Sequence, residues 1–160
     1  MSATGHTGLK VPNLRVPLMY PMHNKPLAER SVLIVEDDII LSTDLAFLLT
    51  EAGCKAVVPT TSNAAVLSAM MHYIVDVAIL DVNIQNEWVF PVAKAVEAAG
   101  IPFLFLTAYA LDSIPAEHRS RPFMQKPHHP GGLIEALVDL IEKNRAPPAA
   151  NDELRTNKAD

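Results

Sequence analysis

The sequence predicts an α/β fold: a doubly wound parallel sheet of five strands with helices packed on both faces. Three observations predict it. First, Val32-Leu33-Ile34-Val35, Val77-Ala78-Ile79-Leu80 and Phe103-Leu104-Phe105-Leu106 are short, unbroken apolar runs, as strands covered on both faces should be. Second, segments with apolar residues at helical spacing alternate with them. Third, a chemically useful residue follows each run: Glu36-Asp37-Asp38 after the first, Asp81 after the next, then Thr107. A weaker run, Phe123-Met124-Gln125, leads into Lys126 in the same way. Ligand sites of open parallel sheets form just beyond the carboxyl ends of the strands.

The elements follow in order. Residues 1–30 carry Pro12, Pro17, Pro21 and Pro26, which fix φ and remove donors, so an extended arm is expected there. The domain is expected over 31–145 and a disordered tail over 146–160, which opens on Pro147 and Pro148. After the first strand, Leu41, Leu45, Leu48, Leu49 and Ala52 keep helical spacing, and Gly53 stands at the C-terminal cap. Ala56-Val57-Val58 is a short edge strand. Ala64, Leu67, Met70, Met71 and Ile74 give the apolar face of a second helix, with its methionines in the core. Val89, Val92, Ala93 and Val96 give a third, closed by Gly100. Residues 110–120 hold Pro115 and little apolar period, so helix 4 is short or irregular. Pro130 suits the first turn of a last helix, with Leu133, Leu137, Leu140 and Ile141 inward.

Composition narrows the function. The 160 residues suffice for one domain with a core, and a net charge of -5 argues against a nucleic-acid surface. Cys54 is the single cysteine, which excludes an internal disulfide and a cysteine-rich metal site. No run is long enough to span a membrane and no signal peptide is evident, so a cytoplasmic location is the expectation.

With strand order 2-1-3-4-5, Glu36, Asp37, Asp81, Thr107 and Lys126 converge on one edge of the sheet. Carboxylates held close together repel unless a cation neutralises them. Mg²⁺ suits such a site, because it binds one or two carboxylates together with phosphate and water. A hydroxyl and an ammonium opposite it would complete a pocket for a phosphoryl group.

This pattern of Glu36-Asp37, Asp81, Thr107-Ala108 and Lys126-Pro127 resembles the receiver domain of two-component response regulators, over roughly residues 31–145. The resemblance implies a flavodoxin-like fold, Mg²⁺ as cofactor, and these roles. Asp81 is the phospho-acceptor. Asp37 binds Mg²⁺ directly and Glu36 through water, with the backbone carbonyl of Asn83 completing the protein's ligands. Lys126 pairs with the phosphoryl oxygens and Thr107 donates its hydroxyl to them. Phe123 holds the aromatic switch position, Tyr109 influences dephosphorylation and partner contact, and the Lys126-Pro127 peptide is cis. The segment Phe105-Leu106-Thr107-Ala108-Tyr109 is similar to the Phe-Ala-Thr-Gly-Tyr-type segment of stand-alone alphaproteobacterial receivers. Three departures bear on the output surface: His128 after the Lys-Pro pair, no Pro or Asp-Gly in the loop after Asp81, and the weak fourth helix.

Other residues have plainer readings. Asp38 caps the first helix. Trp88 packs the loop after Asp81, and His128 and His129 belong to a helix-start loop rather than a metal site. The resemblance implies a single-domain response regulator that takes phosphoryl from a histidine kinase or phosphotransfer protein. It would signal to an unknown downstream protein, with no nucleic acid or membrane bound directly and a homodimer left open. A Mg²⁺-dependent phosphohydrolase with an aspartyl intermediate is the enzyme alternative, but Asn83 stands where such enzymes place their acid-base carboxylate. A phosphorylation-independent interaction module is the other alternative.

Overall fold

The structure is a computed structural model, and it describes residues 25–145. The long strands are β1 (Ser31–Val35), β2 (Ala56–Thr60) and β3 (Val77–Leu80), then β6 (Phe103–Thr107) and β7 (Phe123–Gln125) after a small hairpin of β4 (Asn83–Ile84) and β5 (Glu87–Trp88). They form a parallel sheet in the order β2-β1-β3-β6-β7, the doubly wound arrangement expected. The helices are α1 (Ile39–Glu51), α2 (Asn63–His72), α3 (Phe90–Ala98) and α4 (Pro130–Asn144).

Alternation along the strands divides the core in two. Leu33, Val35, Ala78, Leu80, Phe103 and Phe105 face α2 and α3, together with Val66, Val92 and Val96. Val32, Ile34, Val77, Ile79, Leu104 and Leu106 face α1 and α4, together with Leu45, Leu49, Leu133 and Leu137. Each fully buried Leu, Ile or Phe contributes roughly 1.5–3 kcal/mol relative to exposure. The helix ends follow the sequence signals. Asp38 accepts hydrogen bonds from the Ile40 and Leu41 amides at 2.9 and 3.1 Å. Gly53 takes φ +95° and Gly100 φ +71° where α1 and α3 end.

Two expectations need correction, and a third is met. The packed unit starts before Ser31: Leu27 is fully buried among the residues that line α1 and α4, and its amide donates to Ala52. Residues 25–30 therefore leave the expected arm; the rest of the arm and the 146–160 tail lie outside the described residues. The second helix turns a different face inward. Val66 and Ala69 are buried with Met70 beside them, whereas Leu67, Met71 and Ile74 are exposed. The helix stops at His72, so Ile74 lies beyond it. In place of a fourth helix between β6 and β7 there are two 3-10 turns, Leu111–Ser113 and Ala116–His118, anchored by buried Ile114 and His118. That agrees with the irregular segment the proline predicts.

The edge strand β2 carries an exposed Pro59, paired in register with Ile34. Burial, then the charge of Asp76, push the Cys54 thiol up to about 11, which leaves it a poor nucleophile at neutral pH. Among the described residues no helix is long and apolar enough to cross a membrane.

Candidate functional site

Each polar residue of interest comes from the carboxyl end of a strand. β1 runs into Glu36, whose amide donates to the Thr60 carbonyl at 3.0 Å, so the acidic pair leaves the sheet still tied to β2. β3 runs into Asp81, whose amide donates to the Val35 carbonyl at 2.9 Å. The result is that one carboxylate oxygen from each of Glu36, Asp37 and Asp81 lies within 4.8 Å of the others. β6 ends on Thr107, which is fully buried, and its carbonyl accepts the Lys126 amide at 2.8 Å. The Lys126-Pro127 peptide is cis.

Lys126 organises the cluster. Its Nζ donates to Glu36 Oε2 at 2.6 Å and to Asp81 Oδ2 at 2.7 Å. Both acids are largely shielded from water, so these charge-assisted bonds are screened less than surface pairs. Burial raises the Glu36 carboxyl above its ordinary range, against the pull of Lys126. Burial alone would lower the Lys126 ammonium, but its bonds to Asp81 and Glu36 outweigh that and raise it. The ammonium therefore stays charged throughout the physiological range.

The remaining oxygens are held from the backbone. Val82 N–H donates to Asp81 Oδ1 at 2.6 Å, and Asp38 N–H to Glu36 Oε1 at 3.2 Å. The β4–β5 hairpin turns at Gln85 and Asn86, both with positive φ, and the Gln85 amide donates to Asp37 Oδ2 at 2.8 Å. Asn83 starts this hairpin, pairing with Trp88. The hairpin was not anticipated. Its signal was Asn86 at a turn position that favours positive φ, between Ile84 and Trp88.

The other candidates are placed as follows. The Tyr109 amide donates to Thr107 Oγ1 at 3.3 Å, and the Tyr109 ring meets the edge of Trp88, with centroids 5.6 Å apart. Trp88, half-exposed in β5, stacks on Phe90. Phe123 is half-buried against the α2–α3 side of the core. His129 Nδ1 accepts the Gly131 amide at 3.2 Å and caps α4, in keeping with a helix-start loop. Burial, then the charge of Lys126, lower His128. Two residues went unnoticed in the sequence: Gln85, which acts only through its backbone, and buried His118.

The donor set fits a hard divalent cation. Three carboxylates converge from two loops, each bringing oxygen ligands to a common point. Lys126 reaches Asp81 from the end of β7, and Thr107 ends β6, the strand between β3 and β7.

No family model matches this chain, and no curated protein does. Among solved structures, SdrG from Sphingomonas melonis Fr1 is 35% identical; the match covers 71% of this chain and 97% of that one, with a TM-score of 0.62. The receiver domain of the sensor histidine kinase PA1611 from Pseudomonas aeruginosa PAO1 is 20% identical over 72% of this chain and 99% of that one, with a TM-score of 0.64. That structure has a magnesium ion coordinated in its active-site cleft. The receiver domain of the response regulator TorR, of the TMAO respiratory system, is 22% identical over 71% of this chain and 98% of its own, with a TM-score of 0.63. At that identity the last two speak for the fold alone, and it is the fold seen here. With the acidic cluster and its lysine at the carboxyl edge of this sheet, the chain belongs to the response regulator receiver domains of two-component signalling.

Proposed function

We propose that this protein is a single-domain response regulator that accepts a phosphoryl group on Asp81 and signals through protein contacts. The observation that carries the reading is the Lys126 ammonium bound to Asp81 at 2.7 Å, inside a cluster of three carboxylates. That arrangement supplies a nucleophilic carboxylate, a fixed positive charge and a set of cation ligands at one point. The donor is a phosphohistidine of a histidine kinase or phosphotransfer protein, or a small phosphodonor.

In the transfer, an Asp81 carboxylate oxygen attacks phosphorus and the bond to the donor nitrogen breaks, its electron pair returning to the imidazole. Asp37 and Asp81, with the Asn83 carbonyl and with Glu36 through water, are the residues that would hold Mg²⁺, which when bound neutralises phosphoryl charge. Lys126 stands ready to pair with phosphoryl oxygens. The Thr107 hydroxyl accepts from Tyr109 and keeps its own proton to donate to the phosphoryl. Phe123, paired with Phe105 across the strands, follows Thr107 as the switch aromatic. A switch requires the phosphoryl group to interact better with one arrangement of these residues than with the other.

The protein acts as a regulator rather than a turnover enzyme. Asn83 offers no carboxylate to activate water two residues beyond Asp81. Mass spectrometry after treatment with Mg²⁺ and acetyl phosphate tests the reading: one phosphoryl group is expected on the wild type and none on Asp81→Asn. A folded wild type that stays unlabelled and ignores beryllofluoride would refute it and favour a phosphorylation-independent interaction module. Sustained phosphate release from a phosphomonoester would favour the phosphohydrolase.

A further inference from the structure

Of the four helices, α2 alone holds no Asp, Glu, Lys or Arg, and none occurs anywhere from Thr60 to Val75. A helix at the surface ordinarily turns charged residues to water. The outer face of α2 offers Leu67 and Met71 instead, one turn apart. Leu67 is 50% exposed and Met71 83%, and Tyr73 and Ile74, just past the helix, are exposed as well. The inner face is already taken up by Val66 and Ala69 in the core. The described residues thus leave an apolar face uncovered, and a continuous apolar surface of this kind marks a place where something binds.

The chain itself supplies a segment of matching character. Residues 14–22 read Leu-Arg-Val-Pro-Leu-Met-Tyr-Pro-Met, with Arg15 the single charge. Leu14, Val16, Leu18, Tyr20 and Met22 fall at every second position, which would put them on one side of an extended chain. Pro17 and Pro21 stand between them; they favour extended backbone and offer no amide, so such a segment suits binding by side chains rather than by a strand ladder. The point of attachment is close to α2. Lys25, the first described residue, lies against Gly53, where a Cβ would come within 2.6 Å of its own Cβ. Turn bonds from the Ala28 amide to Lys25 and from the Arg30 amide to Leu27 keep Lys25 near Arg30. Arg30 pairs with Asp76 at 3.4 Å, two residues after Ile74. The chain before Lys25 therefore joins the domain at the end where α2 stops. An extended chain from Met22 back to Leu14 spans about 25 Å, whereas α2 is about 15 Å long, so reach is not limiting.

We propose that residues 14–22 dock on the outer face of α2 of the same chain, with the alternate apolar side chains of the segment laid over Leu67, Met71 and Ile74. The inference does not depend on the phosphoryl reading above. The tether from Met22 to Lys25 is short, which gives the segment an effective concentration on the order of millimolar at α2. A second copy competes only when the protein itself is that concentrated, so the chain's own segment is the occupant at ordinary concentrations. Docking takes the apolar face out of water and denies it to other apolar surfaces. Self-association through α2 then requires the segment to be displaced.

Paramagnetic relaxation in the full chain tests the docking. A nitroxide is attached at Arg15→Cys, with Cys54→Ser so that one thiol is labelled; Cys54→Ala serves if the serine variant does not fold. The amides of Leu67 and Met71 are expected to fall below half the intensity they have with the label reduced. Phe47, an exposed apolar residue of α1 on the opposite face of the sheet, should keep its intensity. Adding Met71→Glu, a change at an exposed position that the fold tolerates, should restore the Leu67 amide. Full intensity at Leu67 and Met71 with the label oxidised would overturn the proposal. So would equal losses at Phe47, or losses at Leu67 that Met71→Glu leaves unchanged. In a mixture of isotope-labelled chains without nitroxide and spin-labelled chains without isotope, the α2 amides should stay intact. Losses in that mixture as large as in the single chain would assign the face to a second copy and overturn docking within the chain.

Discussion

Lys126 is the residue on which the acidic site balances. It opposes the burial that raises Glu36, and it answers two carboxylates from two different strands. Lys126→Met leaves these carboxylates facing one another without a cation. A loss of about 3 kcal/mol at pH 7 is expected, as for a shielded ion pair that loses one partner. The pH dependence has a definite sign. A carboxyl raised in the folded state contributes its stability below its unfolded value, here near 4.5, and loses it as pH rises through the folded value. Removing Lys126 raises Glu36 further, so the deficit should shrink as pH falls from 7 toward 5. Added Mg²⁺ should recover part of it at pH 7. Urea unfolding at both pH values, with and without Mg²⁺, measures this; a deficit indifferent to pH and Mg²⁺ would mean that Lys126 acts by packing alone.

At the scale of elements, α1 shows how a local signal aligns the site. Asp38 turns its carboxylate to the Ile40 and Leu41 amides, which leaves Glu36 and Asp37 to face Asp81. Asp38→Ala should cost about 1 kcal/mol in thermal or urea unfolding, with Mg²⁺ binding retained. Equal loss of Mg²⁺ affinity would place Asp38 among the ligands. This division of labour was legible in the sequence, because three acids at a strand end cannot all cap a helix and all bind one ion. The glycine caps were legible for a similar reason, since Gly53 and Gly100 supply a backbone conformation other residues resist. The phase of α2 was not. Val66 and Leu67 are both apolar, and only the position of the sheet decides which one is covered. Gln85 was invisible because it contributes an amide that every residue but proline has. His118 looked like loop polarity, and only its stacking on Phe90 gives it a place.

At the scale of the whole molecule, the sheet separates two cores, and the one beneath α1 and α4 is sealed by Leu27. Proline spacing disguised that residue as part of an extended arm. Leu27→Ala should cost roughly 2–5 kcal/mol in urea unfolding, the usual loss for a buried leucine, while the proposed phosphoryl acceptance is unaffected under folding conditions. A change below about 0.5 kcal/mol would mean that residues 25–30 lie on the domain without supporting it. The sheet also ends asymmetrically. In β2 the Thr60 carbonyl and the Ala56 amide point inward to bonds with Glu36 and Arg30, so the backbone of Val57 and Pro59 points outward. Pro59 has no hydrogen to offer there, and the outer rail of β2 presents a broken row of donors. A foreign strand seeking to extend the sheet finds no continuous ladder on that side. The protein is thereby guarded against edgewise aggregation at β2, and lateral growth is steered away from it.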